Sequence, residues 1–472
     1  MRSAVIVYLI MLFCKRSSAQ NDLPLSIDYD SLTYVDYYTG QWDSLIDHGS
    51  KAVELGAGNT LIQKRIAYAM MMKKDYFSST DEYLKVLRQN QSDEDVLQML
   101  VYNSAQTGDD DDARFFYKKI FSTKGIEQSH YNYAIRSIDL SSGIILNNNF
   151  SKNNQLDIRK NGVYAQQALN GELYFAQLGV KYFVAPWLNL YCSGNTLQMQ
   201  KEDRLSATDL KLTGRVPDTY NGVFYLRNIY SYKDTTYRHK SLVNQQSFYM
   251  NACWLITGTF HVNLFGNYLS NQYSISFSTN NDEPYHAQVI DPGPSFKTVY
   301  HFYDSTIASN EYLIGGILEK RINKYLVQAG VSYSELNSMI QVQSNAGLKW
   351  FPHGNTNFSA SGMVSYFYEE KQGRGIINAG IDFRCLRHSW LSVYGLFGDL
   401  TNASELNGFV VHNTTDRTDF RISISSYTEL SSHLSLSVMC HFARKKSNYI
   451  SYPDDYHYLN ILTPYSSHLF SI

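Results

Sequence analysis

The chain has 472 residues, a formal net charge of −2 and 18% charged residues, so neither a basic nucleic-acid face nor an acidic tail stands out. It carries 39 Tyr but only 9 Pro, and its one long apolar run lies at the start, which excludes a bundle of membrane-spanning helices. Abundant tyrosine instead suits a wet–dry boundary, because the ring is apolar and the hydroxyl is not.

The run Ala4–Cys14 (AVIVYLIMLFC) follows Met1-Arg2-Ser3 and precedes Lys15-Arg16-Ser17-Ser18-Ala19-Gln20. It is too short for a stop-transfer helix and leads into small residues, so residues 1–20 read as a secretory signal peptide. Cys14 lies between Phe13 and Lys15, a poor setting for a lipoprotein cysteine.

Residues 21–125 form the next unit, helical from 29 onward, with a 34-residue period. Gly40-Gln41-Trp42 returns as Lys74-Asp75-Tyr76 and again as Gly108-Asp109-Asp110. In step with it run Leu45, Ser79 and Ala113, then Gly49, Tyr83 and Tyr117, then Ala52, Val86 and Ile120, with Ile66/Ala67 in the preceding helix. The pattern resembles the tetratricopeptide repeat, in which paired helices approach at small residues. Its signature positions here are Gly40, Trp42, Ala67, Tyr76, Tyr83, Gly108, Ala113 and Tyr117. Asp109–Asp112 lacks the alternating ligands, glycine and distal glutamate of a calcium loop, and reads as a solvated turn feeding a helix N-terminus.

Residues 126–472 alternate with period two. In Tyr325–Tyr333, Tyr325, Val327, Ala329, Val331 and Tyr333 share one face, against Gln328, Gly330 and Ser332. The runs 339–351 and 356–368 repeat this, with uncharged apolar faces ending in aromatics and polar faces of Gln, Asn, Ser and Gly. That is the pattern of a transmembrane β-barrel, apolar toward lipid and polar toward the lumen, rather than of a soluble sandwich. Further strands are predicted at 133–145, 172–183, 188–199, 243–256, 259–271, 311–321, 375–386, 389–400, 417–428, 433–446 and 456–472. The predicted fold class is thus α+β multidomain, a short helical array followed by an antiparallel barrel of about 14 strands. Short turns alternate with long connections at 200–242, 272–310 and 401–416, placing the long ones outside and residues 21–125 in the periplasm of a Gram-negative-type bacterium. Pro464 is expected to bulge or shorten the last strand.

Ionisable residues predicted on the lumen face are Lys181, Glu319, Arg321, Lys349, Glu369, Asp382, Arg384, Asp419, Arg421 and His441. Most are expected to pair across neighbouring strands, and Asp382/Arg384 and Asp419/Arg421 to lie near the short-turn ends. Cys192, Cys385 and Cys440 fall on the outward face and Cys253 on the inward one, without CxxC spacing; all four read as small buried hydrophobes. His433-Leu434-Ser435, with Glu429 nearby, offers a His-x-Ser, but near a turn and facing away from lipid. No nucleotide, zinc-protease or nucleophile-elbow motif occurs. No catalytic, cofactor-binding or metal-binding residue is assigned, and the expectation is a non-enzyme.

Signal peptide, repeats at Trp42 and Tyr76, and barrel hairpins such as Tyr174–Gln198, with LGVKYFVAPWLNLY at 178–191, together resemble the YaiO-like family of outer-membrane β-barrel proteins. The same order of parts looks like the export porins for cellulose and poly-N-acetylglucosamine. The resemblance implies two alternatives. In one, the repeats bind a periplasmic protein partner and the barrel anchors them among outer-membrane lipids. In the other, the lumen conducts a glycan or small solute and the repeats recruit its machinery. An inward-folded 200–242 or 272–310 would favour the anchor.

Overall fold

The computed structural model describes residues 28–123, 135–159, 163–220, 222–284, 296–369, 372–452 and 457–472. The predicted signal peptide and the predicted hand-over between units at 125/126 lie outside the described residues.

Six helices form three antiparallel pairs: α1 (Tyr29–Thr39), α2 (Trp42–Glu54), α3 (Thr60–Met72), α4 (Tyr76–Gln89), α5 (Glu94–Gln106) and α6 (Asp110–Thr123). Their starts are capped by side chains: Asp28, Asn59, Asp75 and Asp93 each accept from backbone N–H groups of the following first turn. The turn inside each pair passes through a left-handed residue at Gly40, Lys74 and Gly108 (φ 70°, 62° and 70°), spaced by one repeat. Another contact recurs at the same interval. Trp42 meets Tyr68 edge-on at 5.8 Å between ring centroids, and Tyr76 meets Tyr102 at 6.3 Å. Leu45, Ala52, Ile62, Ile66 and Ala69 form one core, and Ala67, Tyr83, Val86, Leu97, Leu100, Phe116 and Ile120 the next. Tyr117 departs from the repeat pattern: it is exposed on the last described helix and packs on Phe121.

Fourteen strands then close into one antiparallel barrel. In chain order they are β1 (Ile135–Asn147), β2 (Tyr164–Ala185), β3 (Leu188–Tyr220), β4 (Val223–Thr257), β5 (Phe260–Pro284), β6 (Phe296–Ile322), β7 (Tyr325–Leu336), β8 (Met339–Trp350), β9 (Phe358–Glu369), β10 (Gln372–Leu386), β11 (Ser389–Phe397), β14 (Arg417–Glu429), β15 (Ser435–Tyr452) and β16 (Leu459–Ser471). The remaining two, β12 (Ala403–Glu405) and β13 (Val410–His412), pair only with each other. A short helix, α7 (Asn149–Asn153), follows β1. Closure is made by β16 against β1, from Gly143↔Ser471 to Asn147↔Ser467.

The wall is inside out relative to a water-soluble sheet. Val331 is 54% exposed on the outer face while its neighbour Ser332 is 3% exposed on the inner one. Ile340, Val364 and Tyr366 face out as Val331 does, and Gln341, Gln343 and Ser365 are buried like Ser332. Cys385 and Cys440 are exposed on this outer face rather than buried, because the outer face is itself the apolar one.

Three expectations are corrected. Residues 200–220, 223–242, 272–284 and 296–310 are strand rather than loop: β3 and β4 stay paired to Tyr220↔Val223, and β5 and β6 to Pro284↔Phe296. The 33 residues of β3 run for roughly 110 Å, several times the membrane depth. Beyond the lipid no hydrocarbon demands an apolar face, and at 202–207 both faces of β3 are buried, so apolar alternation fades while the ladder continues. Pro464 neither bulges nor ends β16, and it pairs with Lys446 without a register shift. It lies beyond the last β1 pairing, where β16 has a ladder on one side only and a missing N–H is tolerated. Finally, Asp419 and Arg421 lie at the long-connection end of β14, not the short-turn end, since the chain enters β14 from the 398–416 connection. At that same end β15 also pairs with β2, from Tyr449↔Gln167 to Tyr452↔Tyr164.

Placing a lysine at position 331 puts a charge against lipid at mid-strand. Val331→Lys is expected to destabilise the barrel by about 2–4 kcal/mol in a urea titration in bilayers. Ser332→Ala, on the inner face, is expected to stay within about 0.5 kcal/mol of wild type.

Candidate functional site: a filled lumen and a covered mouth

A closed wall with a polar inner face leaves many side-chain donors and acceptors to satisfy. The connection 398–416 supplies partners by folding inward. Gln341 Nε2 donates to Asn402 O (2.7 Å), and Gln343 both donates to Ser404 O (2.9 Å) and accepts from Ser404 N (3.1 Å). Across the lumen, Tyr249 Oη donates to Asn407 O (3.1 Å) and Asn267 Nδ2 to Gly408 O (2.9 Å). The connection therefore reaches opposite walls and carries the small β12–β13 hairpin between them.

Two features hold the hairpin's shape. Its tip passes through three successive left-handed residues, Leu406, Asn407 and Gly408 (φ 50°, 59° and 78°). A side chain at Gly408 would meet Leu313 at 2.5 Å and Phe265 at 2.7 Å, so the tip seats by close backbone approach. Beside it, the Phe409 ring packs edge-on against Tyr249 (5.2 Å) and beside Tyr191 (6.0 Å). Glu405 is gripped by both Arg421 guanidinium nitrogens (2.8 and 2.7 Å) and by His412 Nε2 (2.7 Å).

The other closure is at the short-turn mouth, where helices α4 and α6 dock. Phe77 packs at a tilt against Phe351 (4.7 Å between ring centroids), lies under the Arg321 guanidinium (4.9 Å) and donates its N–H to Gly354 O (3.0 Å). Phe116 packs against Gly258, where a Cβ would stand 2.0 Å from its ring. The charges are one-sided. Asp75 meets Lys324 (2.8 Å), Asp81 meets Arg321 (3.6 Å), Asp111 meets Lys181 (3.0 Å), Asp112 meets His261 (3.1 Å), and Asp110 meets Arg136. Burial pushes the Asp81 carboxyl up despite Arg321 beside it. Burial, then the neighbouring Asp109, pushes Asp112 up to about 7, against the opposing pull of His261. Asp109–Asp112 is thus not a solvated turn: Asp109 caps α6 by accepting from Asp112 N (3.1 Å), and Asp111 and Asp112 are docked against the barrel.

Between hairpin and helices lies a cavity of about 570 Å³, with Asp109, Asp111 and Asp112 on one side and Asn407 on the other. Lys181, Glu319, Arg321 and Lys349 line it, as do Asn189, Cys253 and His261. The structure places the other singled-out residues elsewhere. Asp382 bonds Lys349 (2.8 Å), Ser359 (2.8 Å) and Tyr394 (2.7 Å), while Glu369 pairs with Arg374 (3.1 Å) and accepts from Asn402 (3.1 Å). Asp419 pairs with Lys446 on the adjacent strand (2.9 Å). Arg384 is exposed at the short-turn end over Trp390, and His441 stands near Arg421 and His412. Pairing between adjacent strands therefore describes Asp419 and Glu369, and Glu319 accepts from Gln328 on the neighbouring strand (2.7 Å), but Lys181, Arg321 and Arg421 have partners on the helices or the hairpin. Sequence reasoning missed Asp75, Asp81, Glu405, Gly408 and Phe409. The run Asp109–Asp112 was visible as acidic, but nothing local indicated its distant basic partners.

His433 contacts Ser432 Oγ (2.8 Å) rather than Ser435, and Glu429 faces His388 (3.4 Å), so the His433-x-Ser435 arrangement does not assemble with Glu429.

The fold is that of an outer-membrane β-barrel with a helical N-terminal segment. No helix among the described residues is long and apolar enough to cross a membrane. No protein-family profile matches the sequence, and no curated protein matches it. Among solved structures, a FadL homologue of Pseudomonas aeruginosa is similar at 8% identity and a TM-score of 0.38, over 70% of this chain and 89% of that one. A TodX variant, a monoaromatic hydrocarbon channel, is similar at 7% identity and 0.38, over 72% and 91%. OprB of Pseudomonas putida is similar at 7% and 0.24, over 71% and 92%. Likeness this distant carries no argument about cargo.

Removing the charge of Glu405 leaves Arg421 buried without its anion. Glu405→Gln is expected to cost about 3 kcal/mol in urea unfolding of the detergent-solubilised protein. It is also expected to raise hydrogen exchange in 398–416 without altering the helices.

Proposed function

We propose that the protein is an outer-membrane anchor whose helical repeats bind a partner protein in the periplasm. One observation carries this reading: the barrel is occupied by its own hairpin and covered at the short-turn mouth, while one face of the helical array is not covered by any of the described residues. The docked residues, from Lys74 to Asp81 and from Asp109 to Phe116, belong to the turns inside each pair and to the second helices. The first helices carry Tyr34, Tyr68 and Tyr102, one per repeat at the 34-residue interval. Tyr34 is 55% and Tyr102 47% exposed, and Tyr68 between them is half-buried against Tyr37 and Trp42. Rigid, amphipathic tyrosine is a favoured residue at protein interfaces, because it gives large contact area at low entropic cost.

Short turns face the periplasm in bacterial barrels, which supports placing the repeats there, with residues 1–20 as the export signal. The 34-residue recurrence of left-handed turns and edge-on aromatic pairs supports a tetratricopeptide-type array. The order of parts fits the YaiO-like resemblance. A conduit for a glycan or small solute is the second reading, and the cavity of about 570 Å³ between hairpin and helices, with Lys181, Glu319, Arg321 and Lys349 in its lining, is what favours it.

The test is photo-crosslinking in cells with benzoylphenylalanine at position 34, 68 or 102, against position 53 on the second helix of the first pair. The same discrete protein adduct is expected from all three first-helix sites, absent from position 53 and reduced by alanine at the other two tyrosines. Adducts that do not distinguish these sites would remove the first-helix face as the binding surface.

A further inference from the structure

We propose that Asp109, Asp112 and His261 bind one divalent transition-metal ion of the zinc class, stapling the third helix pair to the barrel mouth. Their ligand atoms all lie within 4.8 Å of one another, and Asp112 Oδ1 is 3.1 Å from His261 Nε2. The carboxylates flank the first turn of α6, where the Asp112 N–H donating to Asp109 sets them side by side. The imidazole comes from the start of β5, 149 residues further along the chain. One imidazole and two carboxylates suit zinc, which takes nitrogen and oxygen at about 2.0–2.2 Å. Calcium and magnesium prefer all-oxygen shells.

A second observation points to a ligand beyond these three residues. Asn189, only 3% exposed, lines the same cavity, and neither its amide nitrogen nor its oxygen has a hydrogen-bond partner among the described residues. Its position follows from the ladder: Asn189 pairs with Cys253, and Cys253 with Asn263, two residues along β5 from His261. Three protein ligands leave a tetrahedral ion one open position, which faces this cavity. The fourth ligand is a water or small anion drawn from the space that Asn189 borders.

The groups around the cluster shape its charge. Glu319 sits opposite His261 on β6, and Lys181 and Arg321 reach the same cavity from β2 and β6. Lys181 is engaged by Asp111 and Arg321 by Asp81, leaving Asp109 and Asp112 to the metal. The proposal stands independently of what the first-helix face binds.

The test uses the full chain purified in detergent, stripped with chelator, reloaded with Zn²⁺ or Co²⁺ and dialysed, with heat-modifiable gel mobility reporting the folded barrel. Wild type and Asp111→Asn are expected to retain one equivalent of zinc, and Asp112→Asn and His261→Ala to lose it. Wild type with Co²⁺ is expected to show the intense visible bands of a four-coordinate site. No retained metal in wild type, or equal retention in Asp112→Asn and His261→Ala, would overturn the proposal.

Discussion

The rest of this structure depends on the demand that every backbone N–H and C=O crossing hydrocarbon find a partner within the protein. A closed antiparallel wall meets it, and β16 pairing with β1 completes the circuit. Closing the wall turns the apolar residues outward and packs the polar ones inward, so the lumen inherits a dense set of Asn, Gln, Ser and charged side chains. The inward hairpin satisfies part of that set with its own backbone, at Gln341, Gln343, Tyr249 and Asn267. It brings one buried carboxylate, Glu405, to meet Arg421.

The mouth is closed on a different principle. Its rim is basic, through Arg136, Lys181, His261, Arg321 and Lys324, and the docking surface of the helices is acidic, through Asp75, Asp81 and Asp110–Asp112. Pairs that are partly exposed contribute little each. The apolar contacts of Phe77 and Phe116 supply the burial that fixes the geometry, and the charges set which helix face meets which strand turn. Gly258 and Gly408 do the same work at two levels of the barrel, each letting a backbone approach where a side chain would collide.

The barrel wall was legible because lipid imposes period-two alternation, and all fourteen predicted strands correspond to strands of the ring. Where the constraint stops, so does the signal: the ladders run on through 200–220 with 223–242 and through 272–284 with 296–310, but away from lipid their outer faces need not be apolar. The inward course of 398–416 left no local trace, since Asn402, Asn407 and Gly408 are what any surface turn would carry. Asp109–Asp112 looked like a solvated turn because His261 and Lys181, which give it meaning, lie on strands far along the chain. The 34-residue period was readable for the opposite reason, since its contacts are local and repeat.

The most direct measurement is single-channel conductance in a planar bilayer. The intact chain is compared with one lacking residues 28–123 and with one that also has 400–413 replaced by a short Gly-Ser link. The account expects silence from the intact protein and steady steps only when both helices and hairpin are removed. Steady conductance from the intact chain would contradict a barrel closed by its own hairpin and helices.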